Sequence, residues 1–202
     1  MVLALEKMVG IWHIVYMKKL IFGGLGVAVV VGGVVWLGLF PVAGIAGSFI
    51  WYKDISVFEN SSQHFQDVAK QKDPAFGDVT GDTSARRKAY LNELIIRNIV
   101  RRGLAELDTA SFQGEVDDAV AKAKEGKDMV KLAEATSQLY GMSFASFQEV
   151  ILVPQAQEIT LRKHIESSGK VYGDWLTERA KNTTVTIYFL PYKWQDGMLV
   201  DK

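Results

Sequence analysis

Residues 20–40 read LIFGGLGVAVVVGGVVWLGLF, a continuous apolar run that contains no charged or strongly polar side chain. As an α-helix, a run of this length rises about 30 Å, which matches the hydrocarbon core of a bilayer. A helix satisfies its own backbone hydrogen bonds, so it can cross that core. The run therefore predicts a transmembrane anchor that holds the rest of the chain beside a membrane.

The flanks of the run predict its orientation. Lys18 and Lys19 precede it, whereas Trp51 and Tyr52 follow it. Basic residues mark the cytoplasmic side of a membrane helix, and aromatic residues are enriched at the headgroup level. We therefore expect a single-pass protein of the cytoplasmic membrane. Its N-terminus (1–19) lies inside, its anchor region covers 20–52, and its C-terminal domain lies outside, in the periplasm or extracellular space.

Two features of the N-terminal region leave alternatives open. The small residues at 43–47 suit a cleavage site, so a cleaved signal peptide competes with an uncleaved anchor. The apolar run exceeds the usual signal core and resumes at 45–52, which favours the anchor. Met17 followed by two lysines is typical of a bacterial start, so residues 1–16 are either a cytoplasmic extension or an over-extended gene start.

The composition excludes several classes of function. Lys+Arg and Asp+Glu number 23 each, and no basic patch alternates with aromatic residues, so we expect no nucleic-acid partner. Cysteine is absent, which removes disulfides and thiolate metal sites. Motifs typical of hydrolases, metalloproteases and nucleotide-binding proteins are missing. We expect no catalytic residue, no metal site and no cofactor, and therefore a protein that is not an enzyme.

The rest of the chain is predicted to be mainly α-helical. A juxtamembrane linker at 53–83 ends in a turn-rich loop, and before this loop the spacing of Phe58, Phe65 and Val68 suits one face of a short helix. Apolar residues then recur at helical spacing in five segments, which are predicted to begin near residues 83, 112, 128, 143 and 171. Gly141 suits the C-terminus of the third. Pro154 lies within the fourth segment and should kink or divide it.

The C-terminal residues change from a helical to a β pattern. Residues 184–190 alternate and are rich in β-branched side chains, which predicts a strand. Asp196 and Gly197 form a tight-turn signal before a second apolar stretch. We therefore expect a short C-terminal strand or hairpin, which needs to pack on the helices because an isolated hairpin is marginally stable.

Three segments in the predicted helices carry a family resemblance. Residues 87–100 read RKAYLNELIIRNIV, 114–120 read GEVDDAV, and 139–147 read LYGMSFASF. In this order they resemble the successive helix motifs of SurA-type N-terminal chaperone domains. Trp175 and the strand after it are similar to the closing helix and short strand of such proteins.

The resemblance implies a SurA N-like helical domain at 84–202, in a folding factor tethered to a membrane. Such domains hold unfolded or partly folded polypeptides without ATP, and many members also contain a parvulin prolyl-isomerase domain before the closing helix. Here only residues 166–174 separate Ile165 from Trp175, which leaves no room for that domain. The resemblance therefore implies the holding function without isomerase activity.

Aromatic residues in the C-terminal half either fill a small core or line an apolar groove for client chains. The candidate client-binding residues are Phe144, Phe147, Trp175, Tyr188 and Phe189. The expected partners are the lipid bilayer and unfolded or partly folded polypeptides, and the sequence does not indicate an oligomeric state. The alternative function is a non-catalytic scaffolding module that binds a folded partner in an envelope complex. A reduced prolyl isomerase is the third hypothesis.

Overall fold

The structure is a computed structural model that describes residues 38–73, 82–107 and 109–202, with the backbone alone at 109–111. The chain divides into two compact units, Met1–Phe40 and Pro41–Lys202. Every helix and strand described below belongs to the second unit.

The predicted anchor falls mostly outside the described residues, which exclude 20–37. Its last residues, 38–40, form a turn and a bend instead of helix. Among the described helices, none combines the length and the apolar character that crossing a bilayer requires.

The second unit is mainly helical, as the apolar periodicity predicts. The first four helices are α1 (Tyr52–Lys72), α2 (Thr83–Leu107), α3 (Thr109–Lys124) and α4 (Met129–Tyr140). A short helix, a π-helical segment and two longer helices follow: α5 (Phe144–Phe147), the π segment (Gln148–Leu152), α6 (Val153–Ser167) and α7 (Tyr172–Asn182). The predicted linker at 53–83 therefore contains a helix of 21 residues, which is much longer than the short helix expected there.

Local capping chemistry explains where α4 begins and ends. The Asp128 carboxylate accepts hydrogen bonds from the backbone N–H groups of Val130 (3.0 Å) and Lys131 (3.2 Å), which the first turn would otherwise leave unpaired. At the other end Gly141 adopts φ 65°, the left-handed conformation that glycine accepts without strain. Both boundaries agree with the sequence prediction.

The helical geometry changes next to Pro154, where the sequence predicts that the fourth segment is kinked or divided. The Ser143 hydroxyl accepts a hydrogen bond from the Ser146 N–H and starts α5, and the helix then widens into the π segment. Pro154 follows as one of the first residues of α6, where its missing N–H is tolerated. The π segment therefore accommodates the proline without interrupting the helical path.

Five short strands form two antiparallel sheets. One sheet has the order β2-β1-β3, from β1 (Pro41–Ile45), β2 (Ser48–Trp51) and β3 (Val185–Ile187). The other is a hairpin of β4 (Tyr192–Gln195) and β5 (Met198–Asp201). Its turn at Asp196 and Gly197 has φ 52° and 83°, as a two-residue hairpin turn requires, so the Asp-Gly signal is confirmed.

The hairpin of β1 and β2 differs from the sequence prediction, which assigned residues 41–51 to the anchor region. Ala46 and Gly47 turn the chain with φ 42° and 90°, and β1 then pairs with both β2 and the distant β3. A short apolar run gives no periodicity that separates a buried strand from a continuing helix. The run at 45–52 was therefore predicted as an extension of the anchor, whereas residues 45–51 form the end of β1, a turn and β2.

A hydrophobic core cluster, which we call the helical core, lies among α2, α3, α6 and α7. It consists of Val100, Leu104, Val116, Val120, Ala156, Leu161, Ile165 and Tyr172. Helix α2 approaches α7 closely at Gly103, where a β-carbon would lie 2.6 Å from the Trp175 ring. The β4–β5 hairpin is tied to the start of α2 by the Tyr192 hydroxyl, which donates to the Ser84 carbonyl (3.0 Å).

Candidate functional site

An apolar groove of about 500 Å³ opens on the side of the helical unit, between α1, α2, α4 and the π segment. We call it the aromatic groove. Its lining residues are Val57, Phe58, Ser61, Ser62, Phe65, Tyr90, Tyr140, Met142, Phe147, Val150, Ile151, Leu152 and Gln155. None of these residues, all in the described part of the chain, is an acid, a lysine, an arginine or a histidine. The groove therefore offers apolar surface with a neutral polar edge.

The aromatic rings of the groove form contacts with one another along its length. Phe58 stacks on Tyr90 with ring centroids 5.7 Å apart, and Phe65 stacks on Tyr140 at 5.8 Å. Tyr140 also contacts Phe147, at 5.6 Å. These separations lie in the range of favourable aromatic pairs. None of the five rings is buried, so each retains surface that an incoming apolar group can cover.

Arg97 supports one wall of the groove. In a regular α-helix the carbonyl of Val150 would accept from the N–H four residues later, but that residue is Pro154, which has no N–H. The Arg97 guanidinium donates to this carbonyl and also to the Glu93 carboxylate (2.7 Å), while it lies 4.9 Å from the centre of the Phe58 ring. The arginine charge is therefore paired with Glu93, and the hydrogen bond from Arg97 to the Val150 carbonyl stabilises the irregular π segment.

The structure distributes the five predicted client-binding residues over three places. Phe147 lines the aromatic groove, and Phe144 stacks on it with centroids 6.5 Å apart. Trp175 is partly buried against the helical core and stacks on Tyr172 at 6.1 Å. Tyr188 and Phe189 directly follow β3. The structure therefore brings Phe144 and Phe147 together and separates the other three from them.

Tyr188 lies across the outer face of the three-stranded sheet. Its hydroxyl would be 2.8 Å from a β-carbon at Gly44, so a larger residue there would displace the Tyr188 side chain. Phe189 follows with φ 56° and is 85% exposed. Holding a bulky residue in this left-handed conformation costs about 1–3 kcal/mol of strain energy.

The two histidines of the described residues have structural partners. The His64 ring donates to the Gln138 carbonyl (3.1 Å) and joins α1 to α4. The His164 ring donates to the Glu115 carboxylate (3.0 Å) and joins α6 to α3. This hydrogen bond, together with the nearby charges of His164 and Lys163, lowers the pKa of Glu115 from its ordinary value. Among the residues that the structure describes, no cluster of three or more potential ligands could hold a metal ion.

Most of the groove residues were not predicted from the sequence. Phe58 and Phe65 share one face of α1, as their helical spacing in the sequence indicates, but Tyr90, Tyr140 and Met142 come from distant segments. The sequence feature that could have identified the groove is that these aromatic residues occupy helical positions where aliphatic residues would suit a closed core better.

The geometry of the groove alone indicates what the site can do. It contains no paired acid and base and no nucleophile next to a base, so it offers surface for binding apolar groups. Comparison with known proteins found no matching family model, no matching curated protein and no matching solved structure.

Proposed function

We propose that this protein is a membrane-anchored, extracytoplasmic chaperone that holds unfolded or partly folded polypeptides without ATP. The observation that carries the proposal is the aromatic groove, in which five half-exposed rings line an uncharged cleft. The occupant we propose is an extended client segment that inserts apolar side chains between the rings. Phe147 contacts the client directly, and Phe144 supports it from the rim.

The size of the groove suits brief, reversible binding. Its volume of about 500 Å³ admits two or three large side chains, and not a folded domain. Burial of each large apolar side chain contributes about 1.5–3 kcal/mol, from which the cost of ordering the client is subtracted. Since a free energy of about 4 kcal/mol corresponds to a millimolar dissociation constant, a client with two anchoring side chains binds weakly and leaves unaided.

The neutral lining supports tolerance of many client sequences. A charged wall would select clients of opposite charge, but Arg97, the cation that lies over the Phe58 ring, is already paired with Glu93 and with the Val150 carbonyl. Recognition then depends on apolar area, which unfolded chains of nearly any sequence expose. Promiscuous holding is therefore the activity that this lining favours.

The proposed place of action follows from the sequence. The apolar run at 20–40 supports a single membrane anchor with the helical unit outside, and the motifs at 87–147 resemble SurA-type chaperone domains. Anchoring would raise the local concentration of the groove near chains that emerge from the membrane, which compensates for weak affinity at each site.

The test is suppression of client aggregation by the full chain in nanodiscs. Reduced, alkylated lysozyme serves as a permanently unfolded probe for binding, and freshly reduced lysozyme serves for aggregation. Ser62→Arg places a long charged side chain in the groove, and the matched control Asn60→Arg changes an exposed residue of the same helix outside it. We expect wild type and the control to suppress aggregation, and Ser62→Arg to lose most of this effect.

Other outcomes would favour the rival functions. If wild type fails to suppress aggregation at excess, the holding function is wrong, and capture of one folded envelope protein would support the scaffold instead. If a proline-peptide assay shows isomerisation above background, the proposal of a purely non-catalytic protein is wrong. Equal suppression by both arginine variants would remove the groove from the mechanism.

A further inference from the structure

The three-stranded sheet has an inner and an outer face that differ in chemistry. Ala43, Ile45 and Ile50 are buried on the inner face, where the Ser48 hydroxyl donates to the Asn98 side chain of α2 (3.1 Å). The outer face follows from the strand register, in which Gly44 pairs with Phe49 on one side and with Thr186 on the other. We define the outer sheet face as Gly44, Phe49, Trp51, Thr186 and Tyr188, with Phe189 at its edge.

The outer sheet face is aromatic, uncharged and accessible. Phe49 is 53% exposed and lies 6.1 Å from the Trp51 ring, and the strongly exposed Phe189 lies 6.4 Å from the Tyr188 ring. Two phenylalanines, a tryptophan and a tyrosine thus line a face without any charged side chain. Rings with an apolar body and a polar atom are the side chains that membrane–water interfaces prefer.

The conformation of Phe189 is a second, independent observation. A bulky side chain is held at φ 56° and points mostly into solvent, where its contact with Tyr188 covers little of its surface. Backbone strain of this kind persists where it serves a function, so an observed outlier is a reason to look for a function. Contact with an apolar environment outside the protein would offset the strain.

The position of the face in the chain identifies that environment. The central strand begins at Pro41, the residue that directly follows the apolar run at 20–40. If the run crosses the bilayer, the peptide bond to Pro41 joins the sheet directly to the end of the membrane-crossing segment. A lipid surface is then the apolar partner that this face meets first.

We propose that the outer sheet face rests in the headgroup layer of the bilayer and holds the helical unit at a fixed orientation on the membrane. This inference rests on the proposed membrane anchoring and adds the surface that contacts lipid. Docking depends on the aromatic side chains and not on charge, so it occurs on neutral lipid and is insensitive to salt. The aromatic groove, built from helices of the same unit, is not part of this face.

The absence of native cysteine allows the lipid contact to be mapped directly with single labels. Each variant of the full chain carries one fluorescent label in phosphatidylcholine nanodiscs, and lipids with a quencher near the headgroup are added. Thr186→Cys labels the outer sheet face without removing an aromatic ring. Val130→Cys and Ile159→Cys are the controls, because these apolar residues are 68% and 62% exposed on helices elsewhere in the unit.

We expect severalfold stronger quenching at residue 186 than at either control, unchanged at high salt. Adding Phe49→Asp and Phe189→Asp should reduce quenching at 186 to the control level. Equal quenching at 186 and at the controls in wild type would overturn the inference. A label at Val30, in the apolar run, separates the two proposals when the lipids carry a quencher at the tail end. Strong quenching at Val30 supports the anchor, whatever the label at residue 186 shows. No quenching at Val30 would overturn both the anchor and this inference.

Discussion

The helical core and the aromatic groove use apolar residues of different kinds. Seven of the eight buried residues of the helical core are aliphatic, with Tyr172 as the exception, whereas five aromatic rings line the groove. Within the described part of the chain no Phe or Trp is fully buried. Aliphatic side chains fill the interior of this small unit, and the aromatic ones remain where packing is incomplete.

This difference separates stability from binding. A fully buried side chain has already gained the free energy of leaving water, so its loss destabilises the fold. A partly exposed ring has gained only part of that free energy, so a ligand that covers its remaining surface gains the rest. Core substitutions should therefore lower stability, and groove substitutions should lower client binding at little cost in stability. The predictions below test this separation, beginning with the largest effect.

Truncation of one residue from each region tests the comparison most broadly. Leu161→Ala removes a side chain that is fully buried, and such changes cost about 2–5 kcal/mol because they leave a cavity. Phe65 is 37% exposed, and we expect Phe65→Ala to cost about 1 kcal/mol. Urea unfolding of the full chain in nanodiscs measures both. Equal losses would mean that the groove is part of the core.

A double-mutant cycle tests how the groove wall is held. Arg97→Met leaves the Val150 carbonyl without its donor, at a cost of about 1–3 kcal/mol. Pro154→Ala restores a backbone N–H four residues after Val150, so the same arginine change should cost less in that background. Unfolding free energies of the four proteins give the coupling. If the two costs are equal, Arg97 does not compensate for the proline.

Two helical glycines should respond to alanine with opposite signs. At Gly103 a β-carbon would lie 2.6 Å from the Trp175 ring and 3.1 Å from the Leu161 side chain, so Gly103→Ala should destabilise by about 1–2 kcal/mol. At Gly114 nothing lies within 4 Å, and Gly114→Ala should stabilise by up to about 1 kcal/mol through helix propensity. Thermal unfolding distinguishes them, and stabilisation by both would show that the core is loosely packed.

The smallest effect at neutral pH concerns Tyr172, the aromatic exception in the core. Among the described residues its hydroxyl is the buried side-chain group without a hydrogen bond, and burial raises its pKa to about 12. Tyr172→Phe should stabilise by about 1 kcal/mol at pH 7, because an unsatisfied polar group leaves the core.

The same substitution has a defined pH dependence. The unfolded state releases the tyrosine proton at its ordinary pKa of 10.0, whereas the folded state retains it until about pH 12. Wild-type stability therefore falls between these values, by about 3 kcal/mol at most for this group, and the advantage of Tyr172→Phe grows over that interval. The check is the difference in unfolding free energy between wild type and Tyr172→Phe, measured at about pH 8 and about pH 11, on either side of the ordinary tyrosine pKa. The same difference at both pH values would contradict the burial of the hydroxyl.

Elements with strong local signals were predicted well from the sequence. The regular apolar spacing of α2, the Asp128 cap, Gly141 and the Asp-Gly turn each act within a few residues, so their effect can be read locally. The π segment could be anticipated only as a disturbance at Pro154. Its form depends on Arg97 from another helix, which the local sequence does not reveal.

Features that depend on distant pairing were not predicted. The β1–β2 hairpin follows an apolar run without a periodicity of its own, and its partner β3 lies more than a hundred residues later. The groove also combines α1, α2, α4 and the π segment, so only Phe144 and Phe147 were named among its side chains and neighbours. Trp175 was named with them although it packs against the core.

The central claim is that the half-exposed rings of the groove bind clients while the core does not respond. Fluorine NMR of the full chain in nanodiscs, with fluorophenylalanine incorporated, reports on both regions during titration with reduced, alkylated lysozyme. The account predicts shifts and broadening for Phe58, Phe65 and Phe147, and an unchanged signal for Phe112, which packs against the core. Unchanged groove signals at saturating probe, or equal changes at Phe112, would contradict it.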